Sequence, residues 1–502
     1  MDQRFRRSIR QRYPTLILLW AALLCSGLVA PRSVGADTLP FSITLEEAPI
    51  TGTPHPLQSS TIGVSGGKWL LFGGRTAGMH AFTQPHNFPA DTFNHFAYVL
   101  DPVAGKFVGQ PFDLRLLGNV LNDSLSATNT ESVQIGDTLY VVGGYGIFNN
   151  VFVTFSTVTT INVKQWIQLI VSGKATAANV KRLIHQNQDE RLRVTGGGLH
   201  YIVPATGGKG VFYLVFGHIL SGEYSIDPSN FNANRGFHQE YTQQVRVFTL
   251  ENDLTITNGS YHLAAPFSSD LPYNRRDLNV VPEIRPTGSQ GINVYGGVFR
   301  AGRVEGNLTP ITIDPATDPQ GEPTATVVVH PYLQPLNHYE CAILPLFDPR
   351  SKAMYVTFFG GISQYHYDRA VNTLIRDPVN LSMGLDGLPF IPTVTTLVHS
   401  AGNKYQQYIQ SYDMPGLEGT ESRFNPAAAT PVFSNGVINF GKIKKAMTVG
   451  YIYGGILARA PYSVQAPPSP DGPSSPSGKL YRVIVTPGSA TVIPTPPLPA
   501  GN

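Results

Sequence analysis

Three acids, Glu131, Asp277 and Glu340, each stand at the entry to a short apolar segment: ESVQIG, DLNVVPEI and ECAILPLF. Carboxylates brought together from separate segments can bind calcium, or divide into a proton donor and a proton acceptor. They can equally be neutralised by Arg275, Arg276 or Arg300, and that plainer pairing is the preferred reading. Gln58, His200, His338 and Arg423 stand at or near further entries of the same kind. A second polar set follows segments that end in glycine: Arg75, Tyr145, His218, Arg300, Tyr365 with His366, and Arg459. His80, His86 and His95 have spacings unlike those of a zinc helix or finger. No glycine-ended segment opens a helix as a phosphate-binding loop would.

The elements that must position these residues repeat along the chain. Six short apolar segments end in glycine: LLFGG, YVVGG, LVFGH, NVYGG, TFFGG and YIYGG, finishing at Gly74, Gly144, His218, Gly297, Gly361 and Gly455. Each follows another short segment: STIGVS, ESVQIG, LHYIVP, DLNVVPEI, ECAILPLF or AAATPVF. Two more alternating runs usually come after, as in FAYVLDPVAGKFVGQPF, VRVFTLENDLTIT, LTPITIDPATDPQGEPTATVVV and LYRVIVTPGSATVIP. The unit is a four-stranded antiparallel sheet. Such a sheet cannot bury both faces alone, so the pattern predicts an all-β fold, a six-bladed β-propeller. Its blades fall at about 55–115, 125–172, 193–266, 275–332, 338–415 and 424–496. One short helix is expected between the second and third, from Thr176 to Glu190, and FSITLEEAPI beginning at Phe41 can close the last blade beside ATVIP.

This pattern resembles the kelch family of propellers, whose second strand ends in Gly-Gly, with a Tyr in the third strand and a Trp in the fourth. Tyr98 and Tyr481 fit the Tyr position, whereas Phe107 stands where the Trp belongs. The resemblance runs from Phe41 to Pro494 and implies a binding scaffold. It also implies one enzymatic alternative, a copper radical oxidase similar to galactose oxidase, in which two His and two Tyr hold copper and one Tyr is joined to Cys. Cys341 beside His338 and Tyr339, with Tyr365 and His366 later in the same blade, is the set that such a site would use. The Ser-x-Asp-x-Gly-x-x-Trp repeat of sialidases is absent.

Antiparallel alternation places residues that follow the glycines, and those that precede the first strands, on one surface. Long connections gather there, at 75–94, 219–243 and 362–392. The first carries Phe82, Phe88 and Phe93; the second carries Tyr224, Phe231, Phe237, Tyr241 and His238. Aromatic faces among polar groups suit a sugar or a peptide.

The chain has 502 residues, 50 Gly, 41 Pro and 14% charged residues, but 10% aromatics, which excludes low-complexity disorder. Arg4, Arg6, Arg7, Arg10 and Arg12 precede an apolar run from Leu16 to Ala30, and Val34-Gly35-Ala36 offers a cleavage site after Ala36. Residues 1–36 therefore read as a secretory signal, leaving one propeller domain at 37–502 that is secreted, periplasmic or at the cell surface. The leader holds six Arg and one Asp, so its loss takes the formal charge from +3 to −2. No basic run or second apolar span remains, which points away from nucleic acid and a membrane-spanning segment. The expected partner is an extracellular glycan or protein. No cofactor is expected, with calcium at the entry acids and copper at the Cys341 set as the alternatives. Four sequons, at Asn122, Asn258, Asn307 and Asn380, would be used only in a host that glycosylates.

Overall fold

In the computed structural model the described residues are 37–52, 55–80, 87–204, 207–224, 226–227, 230–234, 238–380, 385–462 and 473–499, with backbone only at 226–234. Phe82 and His86 lie outside the described residues, as do the side chains of Phe231 and Phe237.

The architecture is all-β and propeller-like, made of four-stranded antiparallel sheets that follow one another along the chain. The first contains Thr61–Ser65, Lys68–Phe72, Phe96–Asp101 and Lys106–Phe107. Next comes Glu131–Ile135, Thr138–Val142, Thr157–Asn162 and Ile184–Gln188. Gly198–Ile202, Val211–Val215, Val245–Phe248 and His262–Leu263 follow, and then Asn279–Ile284, Gln290–Tyr295, Ile311–Thr317 and Pro323–Val329. A larger sheet holds two further sets, Ala342–Asp348, Ala353–Phe359, Thr393–Ser400 and Lys404–Asp413, and Arg423–Pro426, Met447–Tyr453, Leu480–Pro494 and Asp37–Ala48. Tyr408 and Ile409 join these two sets by pairing with Pro494 and Ile493.

Alternating apolar residues let neighbouring sets pack face to face. Val211, Val215 and Val247 meet Ile292, Val294 and Ile313 in one such core. Elsewhere Tyr295 and Ile284 meet Val356, Phe358 and Leu397. The packing returns to its start, where Tyr451, Tyr453 and Leu480 lie against Trp69, Leu71 and Leu100. Each large apolar side chain buried in this way contributes about 1.5–3 kcal/mol.

The glycine-ended strands fall as expected, and hydrogen bonds explain the glycines. Gly144 N–H donates to the Val194 carbonyl of the next set, Gly361 to Glu418, and Gly455 back to Leu57 near the beginning of the chain. Gly143 has φ +65°, and a Cβ on it would lie 2.1 Å from the Val194 carbonyl oxygen, so no other residue fits without displacement.

Three readings of the sequence are corrected. The helix expected at 176–190 is a single turn, Ala177–Lys181, capped by Thr176; Ile184–Gln188 is the outer strand of the second sheet, which therefore runs past residue 172. The helix lies between the third and fourth strands of that sheet rather than between two sheets. A longer helix, Val163–Val171, precedes it, capped by Asn162 and burying Val163, Trp166, Ile167 and Ile170 on one face, and another spans Asn119–Leu125. Leu480–Pro494 is one strand rather than a hairpin, because Asp37–Ala48 pairs along it from Ala48↔Leu480 to Asp37↔Val492. In the last set the first strand is Arg423–Pro426, and AAATPVF lies beyond it.

Candidate functional site

The residue two positions before each first strand occupies a shared place. These residues are Ser59, Asn129, Gly196, Asp277, Glu340 and Glu421. Backbone N–H groups run from each to the carbonyl of the one before: Asn129 to Ser59, Gly196 to Asn129, Asp277 to Gly196, Glu340 to Asp277 and Glu421 to Glu340, at 2.7–3.4 Å. The Ser59 hydroxyl closes the ring by donating to Glu421 at 2.8 Å. Four of the five non-glycine members, Ser59, Asn129, Asp277 and Glu421, hold positive φ, a conformation imposed by the ring against the residues' own preference.

Asp277, Glu340 and Glu421 thus meet, each offering an oxygen within 4.8 Å of the others. Oxygen ligands of this kind are what calcium takes, but arginines already hold two of them. Arg276 pairs with Asp277 and Arg423 with Glu340, each at 2.5 Å, and the Tyr339 hydroxyl donates to Asp277 at 2.6 Å. Glu421 accepts from Ser59 and, at 3.3 Å, from Asn129. Burial, reinforced by Glu340 and Asp277, raises its pKa well above the ordinary carboxylate range.

On the side of the glycine turns, a narrow pocket of about 50 Å³ lies over this ring. Arg75, His80, Tyr145, His218 and Asp277 all line it, as expected of a shared surface, together with Gln58, Phe88, Tyr224, Arg276, Tyr339 and Glu421. The rings form a wall: Phe88 meets Tyr145 edge-on at 5.2 Å, and His80 meets Tyr224 at 4.6 Å. The Tyr145 hydroxyl donates to the Gly222 carbonyl and accepts from the Tyr224 N–H, which pins the second long loop to the strand Tyr145–Phe148 that follows the second glycine pair. His218 Nδ1 bonds Gln239, and burial, aided by Arg276, keeps the imidazole neutral. Burial drives the Arg75 pKa down to about 9, still charged at neutral pH.

Across the ring opens a cavity of about 640 Å³, lined by Glu131, His200, Glu340, Cys341 and Arg423 among apolar side chains such as Ile62 and Val280. Glu131 begins its strand and so lies two residues beyond the ring position. It accepts from the Gly197 N–H at 2.7 Å, and burial raises its pKa to about 8. Glu131 therefore does not join Asp277 and Glu340 as the sequence suggested; Glu421 does. His200 bonds the Val280 carbonyl, and burial lowers its pKa to about 4.

The other candidates disperse. Arg300 is exposed and pairs with Glu305 at 3.4 Å, and Arg459 is exposed with its N–H on the Pro473 carbonyl. His366 bonds Asp377. His338 is buried with both ring nitrogens engaged, by the Gly360 carbonyl and the Thr395 hydroxyl, each at 2.7 Å. Tyr365 packs with Leu336, Tyr367 and Ile409, whereas Cys341 lies in another cluster with Tyr295 and Phe358. Burial raises the thiol pKa strongly. A copper site of the galactose oxidase kind does not fit this arrangement, since its imidazoles, phenols and thiol are committed to separate places.

Glu421, Ser59 and Asn129 escaped the reading of the sequence. Their signal was present: aligning all six strands at their first residue puts them in one column with Asp277 and Glu340. No protein-family model and no curated protein matches the chain. The solved structure of YjhT aligns with 87% of this chain and 99% of its own, at 12% identity and a TM-score of 0.41. Among the described residues, no helix is long and apolar enough to cross a membrane.

Proposed function

We propose that this chain is an exported six-bladed propeller of the kelch type, secreted, periplasmic or at the cell surface, that binds a glycan in the pocket over its glycine turns. Six glycine-ended strands, face-to-face packing that returns to its start, and a ring with one residue from each set support six blades. The observation that carries the ligand class is the pocket's lining. Phe88, Tyr145, Tyr224 and Tyr339 line it with rings, while Arg75 and the Arg276–Asp277 pair place directional polar groups around the same space. Sugars have apolar C–H faces that stack on rings and hydroxyls that exchange hydrogen bonds with planar polar side chains. A glycan array probed with the chain from Asp37 tests the reading. Binding that is lost in Tyr224→Ala supports it, and an array without binding contradicts it.

A second reading, an enzyme acting on that glycan, draws on Glu421. An acid of raised pKa beside the Arg276-bound Asp277 would place a proton donor and an acceptor at one pocket floor. Following a bound glycan by NMR for bond cleavage or anomeric exchange separates catalysis from binding.

A further inference from the structure

Arg75 is 2% exposed and lines the pocket. Its Nε and Nη2 both donate to one oxygen, Thr92 Oγ1, at 3.2 and 3.0 Å, and the guanidinium lies 3.9 Å from the centre of the Phe88 ring. Among the described residues, no carboxylate pairs with it and Nη1 has no hydrogen-bond acceptor. Arg275 shows what a purely structural buried arginine does here: Nε, Nη1 and Nη2 go to the Pro272 carbonyl, the Gly296 carbonyl and Thr309. Arg276, the other cation in the pocket, is already balanced by Asp277.

A buried charge without a counter-charge is costly, and one that borders a pocket is relieved by an anion that enters it. Guanidinium suits carboxylates and sulfates because its N–H groups match their oxygens in a plane. The rest of the pocket does not oppose this. Tyr145 faces Arg75, His218 is neutral, and burial beside Glu340 and Asp277 raises the Glu421 pKa, which disfavours its charged form.

We infer that the pocket selects an acidic sugar, whose carboxylate or sulfate group enters it and pairs with Arg75. This rests on the glycan reading and adds the ligand's charge to it.

Isothermal titration with methyl β-glucuronide, glucose 6-sulfate and methyl β-glucoside tests it on the chain from Asp37. The expected result is that one of the two acidic sugars binds at least about tenfold tighter than the glucoside, and that Arg75→Gln collapses the difference. Which acidic sugar wins identifies the anionic group. If Arg75→Gln does not fold, Arg75→Lys serves instead: it keeps the charge but not the fork, and should lose part of the preference. Equal binding of all three sugars overturns the inference and leaves the glycan reading standing. Binding of none overturns both.

Discussion

Ser59 donates its hydroxyl hydrogen to Glu421 across 362 residues of chain, so the first and last sets of strands are tied at the ring. Glu421 also accepts from Asn129, and burial raises its pKa, which disfavours its charged form there. A glutamine can keep those acceptor contacts without a charge. Glu421→Gln should therefore cost under about 1 kcal/mol, while Glu421→Ala should cost about 1–3 kcal/mol because two buried donors lose their acceptor. Urea denaturation of the two variants checks the difference.

Glu131 gives the fold a pH dependence of known sign. Its folded pKa, about 8, lies above the ordinary value of 4.5, so the native state holds a proton that the unfolded state releases between those values. The contribution of Glu131 is complete below about pH 4.5 and falls as pH rises towards 8, by up to about 1.4 kcal/mol per pH unit for one such group. Glu131→Gln should show a shallower decline than the parent chain over that window. Urea midpoints at a series of pH values measure it.

Two glycines with similar backbone angles should respond differently to alanine. Gly143 has φ +65° and meets the Val194 carbonyl; Gly136 has φ +61° and nothing within 4 Å of its added Cβ. Gly136→Ala should cost about 1 kcal/mol, the strain of the left-handed region alone. Gly143→Ala adds a clash between neighbouring sets and should cost about 2–4 kcal/mol. Thermal melts of both variants separate the two terms.

Cys341 is 3% exposed, with its thiol pKa raised by burial. It should resist iodoacetamide in the native protein and react once guanidinium unfolds the chain. The intact mass should lack the loss of about two hydrogens that a bond between Cys341 and a tyrosine would cause, since Tyr365 packs in a different cluster.

Much of the strand plan was legible because the glycines mark where backbones from neighbouring sets touch, and only a residue without Cβ fits there. Arg75, Tyr145 and His218 were legible for the same reason, as they stand at those marks, whereas Asp277 was legible from its place at a strand entry and His80 from the long connection at 75–94. The helix Val163–Val171 was not, because its apolar residues also suit a strand and only Asn162 capping and the packing of Trp166 decide for helix. Pro487-Gly488 looked like a turn, yet pairing with the distant Asp37–Ala48 keeps that segment extended. Glu131 was grouped with the wrong acids because a shift of two residues along a strand moves a side chain across the ring. Arg300 followed its glycine pair as Arg75 did, but three residues on rather than one, and turned to solvent. Of the four sequons, Asn122 and Asn307 are buried, so Asn258 and Asn380 are the accessible acceptors.

The most direct measurement is hydrogen–deuterium exchange on the chain from Asp37, with and without a glycan that it binds. Protection at 75–80, 145–148 and 218–224 is the predicted result, since these segments form the wall of the pocket. Protection confined to 61–65, 131–135 and 279–284, on the opposite side of the ring, would contradict the account and move the binding site to the larger cavity.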